Sequence, residues 1–269
     1  MNEVSAVNYV SYLKLDQILT AQAPRSISED DEKGFEHDEM LFIVIHQVYE
    51  LWFKQILHEV DHLTSLLENG ELPAALGTIR RILTILKTVV GQIDILETMT
   101  PLQFNSFRSF LETSSGFQSV QFRELEFAMG YKRKAMIEHF PEGLHGREQL
   151  IERFKAPSLW DRFLHFLKDQ GYEVPEDQLN RDLSRSVEAS AEVQQVLLEV
   201  YRANIWHARL CERLVDLDEG LQEWRYRHVK MVARTIGAKM GTGGSAGVKY
   251  LETTLRPMWP DLWAIRSEL

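Results

Sequence analysis

The chain has 269 residues and a formal net charge of −10, and no segment carries a stripe of Lys and Arg, so a nucleic-acid partner is not expected. Its single cysteine, Cys211, excludes a disulfide framework, a cysteine-rich zinc site and an iron–sulfur cluster with four cysteine ligands. Neither a secretory signal nor an apolar run of about 18 residues is visible, so we expect no membrane span and a cytoplasmic location.

Apolar residues recur at helical spacing along nearly the whole chain, which predicts an all-α fold in a single domain, 1–269. Its N-terminal part, 1–36, is expected to form an arm followed by a polar, acidic, mobile loop over 26–36. The predicted elements that follow are helices over 38–67, 73–96 and 101–111, a loop at 114–118, a helix ending at 129, short helices within 131–176, long helices over 187–217 and 221–236, a glycine-rich loop at 240–247, and a partly helical end over 251–269.

Two local signals mark helix ends. Asn69-Gly70 follows a helical stripe rather than a strand, which indicates a helix C-cap and not a hairpin turn. Thr100 and Gln103 have the spacing of a capping box, and Pro101 occupies the first helical position between them. We therefore expect one helix to end near 67 and another to begin at 101.

His58 and His62 belong to an H-E-x-x-H motif, which is the pattern of a zinc-protease helix. At about 100° per residue, Val60 marks the centre of the apolar stripe, and both histidines fall on the opposite face. We place Glu59 and Asp61 on that polar face as well. Solvated histidines are the preferred interpretation, and a zinc hydrolase is a weaker alternative.

Two other histidines, His46 and His228, lie within apolar stripes of predicted helices. Each is either a core histidine bonded to a backbone carbonyl or a functional group such as an axial haem ligand, and the pattern alone leaves both open. Positive side chains surround His228, namely Arg225, Arg227, Lys230 and Arg234, and the arginines among them could neutralise haem propionates.

Arg108 lies one turn after Phe104 on an aromatic helix face. Its guanidinium either extends to solvent or binds a substrate carboxylate inside an apolar pocket, and spacing does not decide between them. The glycine-rich segment 241–247 lacks the preceding strand and the lysine of nucleotide-binding loops. A loop that closes over a ligand, with Thr242 as a hydroxyl donor, or a plain linker is expected there. Cys211 is expected to be a buried, inert thiol.

At these residues the sequence resembles the tryptophan 2,3-dioxygenase family. The matching strings occur in the family's order from about Tyr9 to the C-terminus. They are HDEMLF at 37–42, HQ at 46–47, ELW at 50–52, FR at 107–108, SGFQS at 115–119, APSL at 156–159, LVD at 214–216, WR at 224–225, RH at 227–228 and GTGGS at 241–245.

The resemblance implies a helical-bundle domain that encloses one b-type haem per subunit and uses O₂ as co-substrate. It implies oxygen addition across the indole C2–C3 bond of L-tryptophan, or of a close indole amino acid, to give N-formylkynurenine in tryptophan catabolism. His228 would be the axial iron ligand, and His46 the distal, catalytic histidine facing the indole N–H. The implied substrate-binding residues are Phe42, Ile43, Val44, Ile45, His46, Phe104, Arg108, Thr242, Tyr9 and Tyr12.

The resemblance also implies a homotetramer, in which the N-terminal segment carrying Tyr9 and Tyr12 packs on a neighbouring subunit and reaches into its site. Val10 stands where a glycine is usual between the two tyrosines, and Phe104 where some members have tyrosine. These departures favour keeping an alternative, a relative that inserts one oxygen atom into tryptophan or a methylated tryptophan. A haem sensor or carrier without turnover is a further class.

Overall fold

The computed structural model describes residues 7–26, 34–241 and 247–269, and within these ranges the chain forms helices and no strand. The all-α prediction is therefore confirmed. The α-helices are α1 (Tyr9–Leu13), α2 (Leu15–Ile18), α3 (His37–Glu68), α4 (Leu72–Leu96), α5 (Pro101–Phe107), α6 (Val120–Ala128), α7 (Ala135–Glu138), α8 (Arg147–Lys155), α9 (Leu159–Asp169), α10 (Glu176–Leu179), α11 (Ala191–Ala203), α12 (Ile205–Ile236), α13 (Val248–Glu252) and α14 (Pro260–Ala264). Short 3₁₀ turns cover Arg108–Leu111, Gly116–Gln118 and Ile265–Ser267.

The core is built around α4, which packs along both α3 and α12, the two longest helices. The apolar stripes of these three helices meet there, and their central residues, such as Ile56, Ile79, Val89 and Leu214, are fully buried. The shorter α6 and α9 cover other sides of α3, and α5 contacts both α3 and α12. This arrangement leaves a space between α3, α6 and α12 that the core does not fill.

Both predicted helix ends are confirmed. α3 ends at Glu68, and Gly70 follows with a φ of +70°, a left-handed conformation that glycine adopts without steric cost. α5 begins at Pro101, where the Thr100 side chain accepts from the backbone N–H of Gln103 and the Gln103 side chain accepts from the backbone N–H of Thr100.

The predicted division between helices over 187–217 and 221–236 is wrong. The structure breaks this region at Asn204 instead, and α12 then continues without interruption from Ile205 to Ile236. The Asn204 side chain accepts from the backbone N–H groups of Trp206 and His207, which is the N-cap that starts α12. Gly220, at the predicted break, lies within α12, where an added Cβ would come within 3.3 Å of Leu86 on α4. That glycine marks a close approach of two helices rather than a helix end.

Asp218 on α12 anchors the C-terminal segment to the core. Its carboxylate is fully buried and accepts from the backbone N–H groups of Met258 and Trp259 and from the indole N–H of Trp263. Because the Met258 and Trp259 donors are buried, the carboxylate satisfies polar groups that would otherwise lack hydrogen-bond partners.

We expect Asp218→Asn to lower the free energy of unfolding by roughly 2–4 kcal/mol, because the amide nitrogen cannot accept from donors that need an acceptor. Chemical denaturation followed by circular dichroism measures the loss. Asp216→Asn is the matched control, since the Asp216 side chain is 39% exposed, pairs with Arg213, and should change stability by no more than about 0.5 kcal/mol. Equal losses in the two variants would contradict the anchoring role of Asp218.

The N-terminal helices α1 and α2 contain no buried residue. The mobile loop predicted over 26–36 lies mostly outside the described residues, at 27–33. At its start, Ser26 is buried rather than exposed, since its hydroxyl donates to Glu39 and accepts from the backbone N–H of Glu36. Among the described residues, no helix combines the length and the apolar character needed to cross a bilayer.

Candidate active site

A deep cavity lies between α3, α5, α6 and α12, with α13 at one side. Most of its wall is aromatic or aliphatic, contributed by Phe42, Tyr49, Phe53, Ile93, Leu96, Met99, Phe104, Phe122, Trp224 and Met231. A few polar side chains interrupt this surface: His46, Glu50, Arg108, Ser115, Ser119, Arg123, Glu126, Arg225, His228 and Thr235. Such a cavity suits a largely apolar ligand whose orientation is fixed by a small number of polar contacts.

His46 presents a neutral hydrogen-bond acceptor to this cavity. Its Nδ1 lies 2.7 Å from the backbone carbonyl of Phe42, and because a carbonyl can only accept, Nδ1 carries the proton. That tautomer makes Nε2 the acceptor nitrogen of the ring. Burial lowers the pKa of His46 below 6.5, although the Phe42 carbonyl and the Glu50 carboxylate oppose the shift. At neutral pH the imidazole is therefore uncharged.

His228 on α12 is the second neutral imidazole of the cavity. Its ring stacks on that of Trp224 one turn earlier, with the centroids 5.3 Å apart and the planes within 7°. Burial, and then the nearby His46 and Arg123, lower the pKa of His228 to about 4. A neutral, fixed imidazole in an apolar wall has the properties of a ligand to a metal centre.

Arg108 brings a guanidinium to the cavity from the 3₁₀ turn that follows α5. Its Nη2 donates to the backbone carbonyl of Met240 at 2.6 Å. Within the part of the chain that the structure describes, no carboxylate lies within ion-pair distance of Arg108. The remaining N–H donors suit a carboxylate on a ligand. Phe104, one turn earlier, lines the same cavity, as the shared helix face predicts.

Three of the positive residues expected around His228 are directed elsewhere. Arg227 pairs with Asp94 on α4 and Arg234 with Glu97, the C-cap residue of α4, while Lys230 lies over the Tyr226 ring. Arg225 does line the cavity, but it is committed to Glu126 on α6. The expectation that all four supply positive charge around His228 is therefore wrong for Arg227 and Arg234, because carboxylates of α4 and its C-cap neutralise them.

Sequence reasoning missed Arg123, which lines the cavity from α6 and is 5% exposed. Its guanidinium lies 4.8 Å from the centre of the Phe117 ring, and its Nε is buried without a hydrogen-bond partner among the described residues. A signal was present, since Val120 and Phe127, three and four residues away, share the helix face of Arg123 and are apolar.

Other predicted substrate residues do not reach the cavity of this chain. Ile43, Val44 and Ile45 do not line it, because at 100° per residue only Phe42 and His46 of this turn share its face. Ile45 packs in the core and Val44 is 39% exposed. Thr242 lies outside the described residues.

The predicted tyrosines, Tyr9 and Tyr12, are about three-quarters exposed on α1 and do not line the cavity.

The H-E-x-x-H motif does not form a metal site. His58 and His62 are exposed, as predicted, but the placement of Glu59 on the polar face is wrong. Glu59 is 4% exposed and accepts from Arg81 on α4 and from Gln55. Across residues 7–26, 34–241 and 247–269, no group of three or more His, Cys, Asp or Glu is arranged to hold a metal ion. Cys211 is buried, as expected for an inert thiol.

The fold and the site together define an all-helical protein with a mostly apolar cavity that is lined by two neutral imidazoles and by several arginines. A family model described as tryptophan 2,3-dioxygenase matches residues 1–142 and 196–269. The APSL string at 156–159 falls between these two ranges. The chain therefore belongs to the tryptophan 2,3-dioxygenase family, as the sequence resemblance predicted.

Similar proteins align over almost the whole chain. A tryptophan 2,3-dioxygenase of Herpetosiphon aurantiacus is 60% identical over 264 residues, which cover 98% of this chain and 99% of that protein. One from an Anaeromyxobacter species is 54% identical and covers 98% and 97%. A third, from Caulobacter vibrioides, is 43% identical and covers 98% of each. The region 143–195 that the family model leaves out is thus shared with close relatives.

Proposed function

We propose that this chain is a haem-dependent dioxygenase that adds both atoms of O₂ across the indole C2–C3 bond of L-tryptophan, giving N-formylkynurenine. Its family and its relatives' names support the reaction. The observation that carries the proposal in the structure is the pair of neutral histidines, His46 and His228, that line one apolar cavity beside an arginine free of any described carboxylate.

The residues of the cavity fit a b-type haem. His228 offers a neutral imidazole from a wall of aromatic and aliphatic side chains, which is the donor that haem iron takes as an axial ligand. The buried Arg123 has an unsatisfied Nε and so offers a donor for a haem carboxylate. Bound haem would supply the chemistry of O₂ activation, and the protein would supply position and polarity.

The same cavity offers complementary contacts to tryptophan. Phe42 and Phe104, with centroids 5.8 Å apart, provide flat apolar surface for an indole ring. His46 Nε2 would accept from the indole N–H and set the position of the ring, and Arg108 would hold the amino-acid carboxylate in a two-pronged bond. These contacts at opposite ends of the substrate fix its register against the reacting oxygen.

Product analysis tests this reaction against its alternatives. The purified holoprotein is incubated with L-tryptophan under ¹⁸O₂, and the mass of the product is determined by mass spectrometry. Incorporation of two labelled atoms supports the dioxygenase. Incorporation of one indicates the mono-oxygenase alternative, and no oxygen consumption indicates a haem sensor or carrier. Bound zinc without a porphyrin absorption band would support the zinc-hydrolase alternative. The exposure of His58 and His62 does not favour that alternative.

The pH dependence of activity should report the protonation of His46. We expect kcat/KM for L-tryptophan to stay level above neutral pH and to fall on the acid side with a midpoint below 6.5, because protonation removes the acceptor that holds the indole N–H. His46→Asn keeps an acceptor but does not titrate, so its profile should lack the acid limb. His58→Asn, an exposed position on the same helix, should retain it. An unchanged limb in His46→Asn would show that another group is responsible.

We extend the proposal to a cytoplasmic homotetramer in which α1 docks on a neighbouring subunit. The support is an exposed apolar arm, since Tyr9, Val10 and Tyr12 are 74%, 52% and 75% exposed. Such a row of apolar side chains favours a protein contact. Light scattering should give the mass of four chains, and Tyr12→Ala should raise the KM for tryptophan if the arm reaches a neighbour's site. A monomeric, fully active parent would contradict this assembly.

A further inference from the structure

One buried carboxylate gathers three arginines beside the cavity. Glu126 Oε2 accepts from Arg123 Nη1 at 2.5 Å, and its Oε1 accepts from Arg225 Nη2 at 2.6 Å. Arg133 Nη2 donates to both oxygens, at 3.1 and 3.2 Å. Burial alone raises the pKa of Glu126, but the three guanidinium groups together hold it below its usual value. The carboxylate is therefore ionised, and the group is called the Glu126 cluster below.

The Glu126 cluster has an excess of positive charge. Its side chains are little exposed, at 2% for Glu126, 6% for Arg123, 4% for Arg225 and 18% for Arg133. Within the described residues, no second carboxylate lies within ion-pair distance of these arginines. Three positive charges and one negative charge leave a surplus of two. A buried surplus of this kind is costly unless an anion compensates it.

The location of the surplus indicates which anion compensates it. Arg123, Glu126 and Arg225 all line the cavity that also contains His228, and Arg225 precedes His228 by one turn of α12. The charge of Arg123 contributes to the low pKa of the His228 imidazole, so the two groups are electrostatically coupled. The Nε atoms of Arg123 and Arg133 are buried without hydrogen-bond partners in the described structure. A ligand held at His228 therefore has an electropositive wall beside it.

We propose that Glu126 is a positioning residue for the haem. It holds three arginines in one buried cluster whose surplus of two charges matches the two carboxylates of haem b, and its own negative charge lowers the reduction potential of the iron. The proposal rests on the proposed function, because it requires haem in this cavity. Removing Glu126 raises the surplus to three, and a larger positive charge favours the ferrous state, which carries one electron more.

The first test uses the unmodified chain freed of haem. It is titrated with haem b and with haem b dimethyl ester, in which both carboxylates are esterified, and binding is followed by the porphyrin absorption band. We expect the ester to bind at least about tenfold more weakly, because it leaves the surplus uncompensated. Equal affinities would overturn the match between cluster and carboxylates. Failure to bind either porphyrin would instead refute the proposed function itself.

The second test measures the ferric/ferrous reduction potential of haem-loaded variants. Glu126→Gln should shift the potential to more positive values, and Arg133→Gln, which removes one positive charge and does not line the cavity, should shift it to more negative values. Glu59→Gln is the matched control, a buried glutamate that also loses an arginine partner but lies outside the cavity. Glu126→Asp keeps the charge and should restore a potential near that of the parent.

Opposite shifts in Glu126→Gln and Arg133→Gln, with no shift in Glu59→Gln, support the proposal. The proposal is overturned if neither Glu126→Gln nor Arg133→Gln changes the reduction potential, or if Glu59→Gln changes it equally. If Glu126→Gln yields no folded protein, the Arg133→Gln potential and the ester titration still decide the question.

Discussion

Replacement of His228 by alanine is expected to remove most of the haem from the purified protein. This imidazole is the histidine of α12 that lines the cavity and the proposed axial ligand, and loss of even an outer partner of a metal ligand typically lowers metal affinity by roughly 10- to 100-fold. Loss of the ligand itself should cost at least as much. Haem content is measured from the porphyrin band per mole of protein, and iron content by elemental analysis.

The matched control for this variant is His207→Ala, which removes another buried imidazole of α12. His207 is bonded to Tyr172 and does not line the cavity, so its loss should disturb packing but not haem content. Added imidazole should partly restore haem to His228→Ala by occupying the space left by the side chain. Full haem occupancy in His228→Ala without rescue would refute the ligand assignment.

Replacement of Arg108 by alanine is expected to reduce kcat/KM for L-tryptophan by roughly 30- to 5,000-fold, which corresponds to about 2–5 kcal/mol for a charge pair that bound substrate would bury. The loss should appear mainly as a higher KM, with haem content nearly unchanged, because Arg108 lies on the turn after α5 and not on α12. Steady-state oxygen consumption measures both constants.

Tryptamine lacks the carboxylate of tryptophan. It therefore distinguishes the loss of a carboxylate contact in Arg108→Ala from a general loss of activity. The parent should use it poorly, and Arg108→Ala should use it about as well as the parent does, because no carboxylate contact remains to be lost. Arg153→Ala is the matched control, since Arg153 pairs with Asp61 away from the cavity and should leave KM for tryptophan unchanged. An unchanged KM for tryptophan in Arg108→Ala would refute the proposal that Arg108 binds the substrate carboxylate.

Taken together, the proposed roles assign each end of the cavity a separate task. In the proposed function, His46 and Arg108 would contact the substrate, whereas His228 and the cavity-lining side chains of the Glu126 cluster would contact the haem. The distinction predicts that variants of the first pair change kinetic constants while porphyrin binding persists. Variants of His228 and of the Glu126 cluster should change the affinity for porphyrin or the reduction potential of the iron, and these changes should be measurable in the absence of substrate.

Much of this architecture was determined by the sequence alone. Helical periodicity identified the all-α fold and placed His46 and His228 on apolar faces, because the spacing of apolar residues fixes which side chains share one side of a helix. The capping residues Thr100 and Gln103 set the start of α5 and hence the position of Arg108. Such local signals act within a few residues and need no knowledge of what lies opposite.

The tertiary structure decided what periodicity leaves open, namely which element faces each helix. Arg227 and Arg234 were expected near the ligand but pair with α4, and Glu59 was expected in solvent but is buried against Arg81. A helix break was expected between 217 and 221, but Gly220 there lies within α12 in close contact with α4. The cluster of Arg123, Arg133 and Arg225 around Glu126 includes a pair, Glu126 and Arg225, that is 99 positions apart in the sequence. Pairings over such separations depend on the packing of whole helices, which no local pattern in the chain specifies.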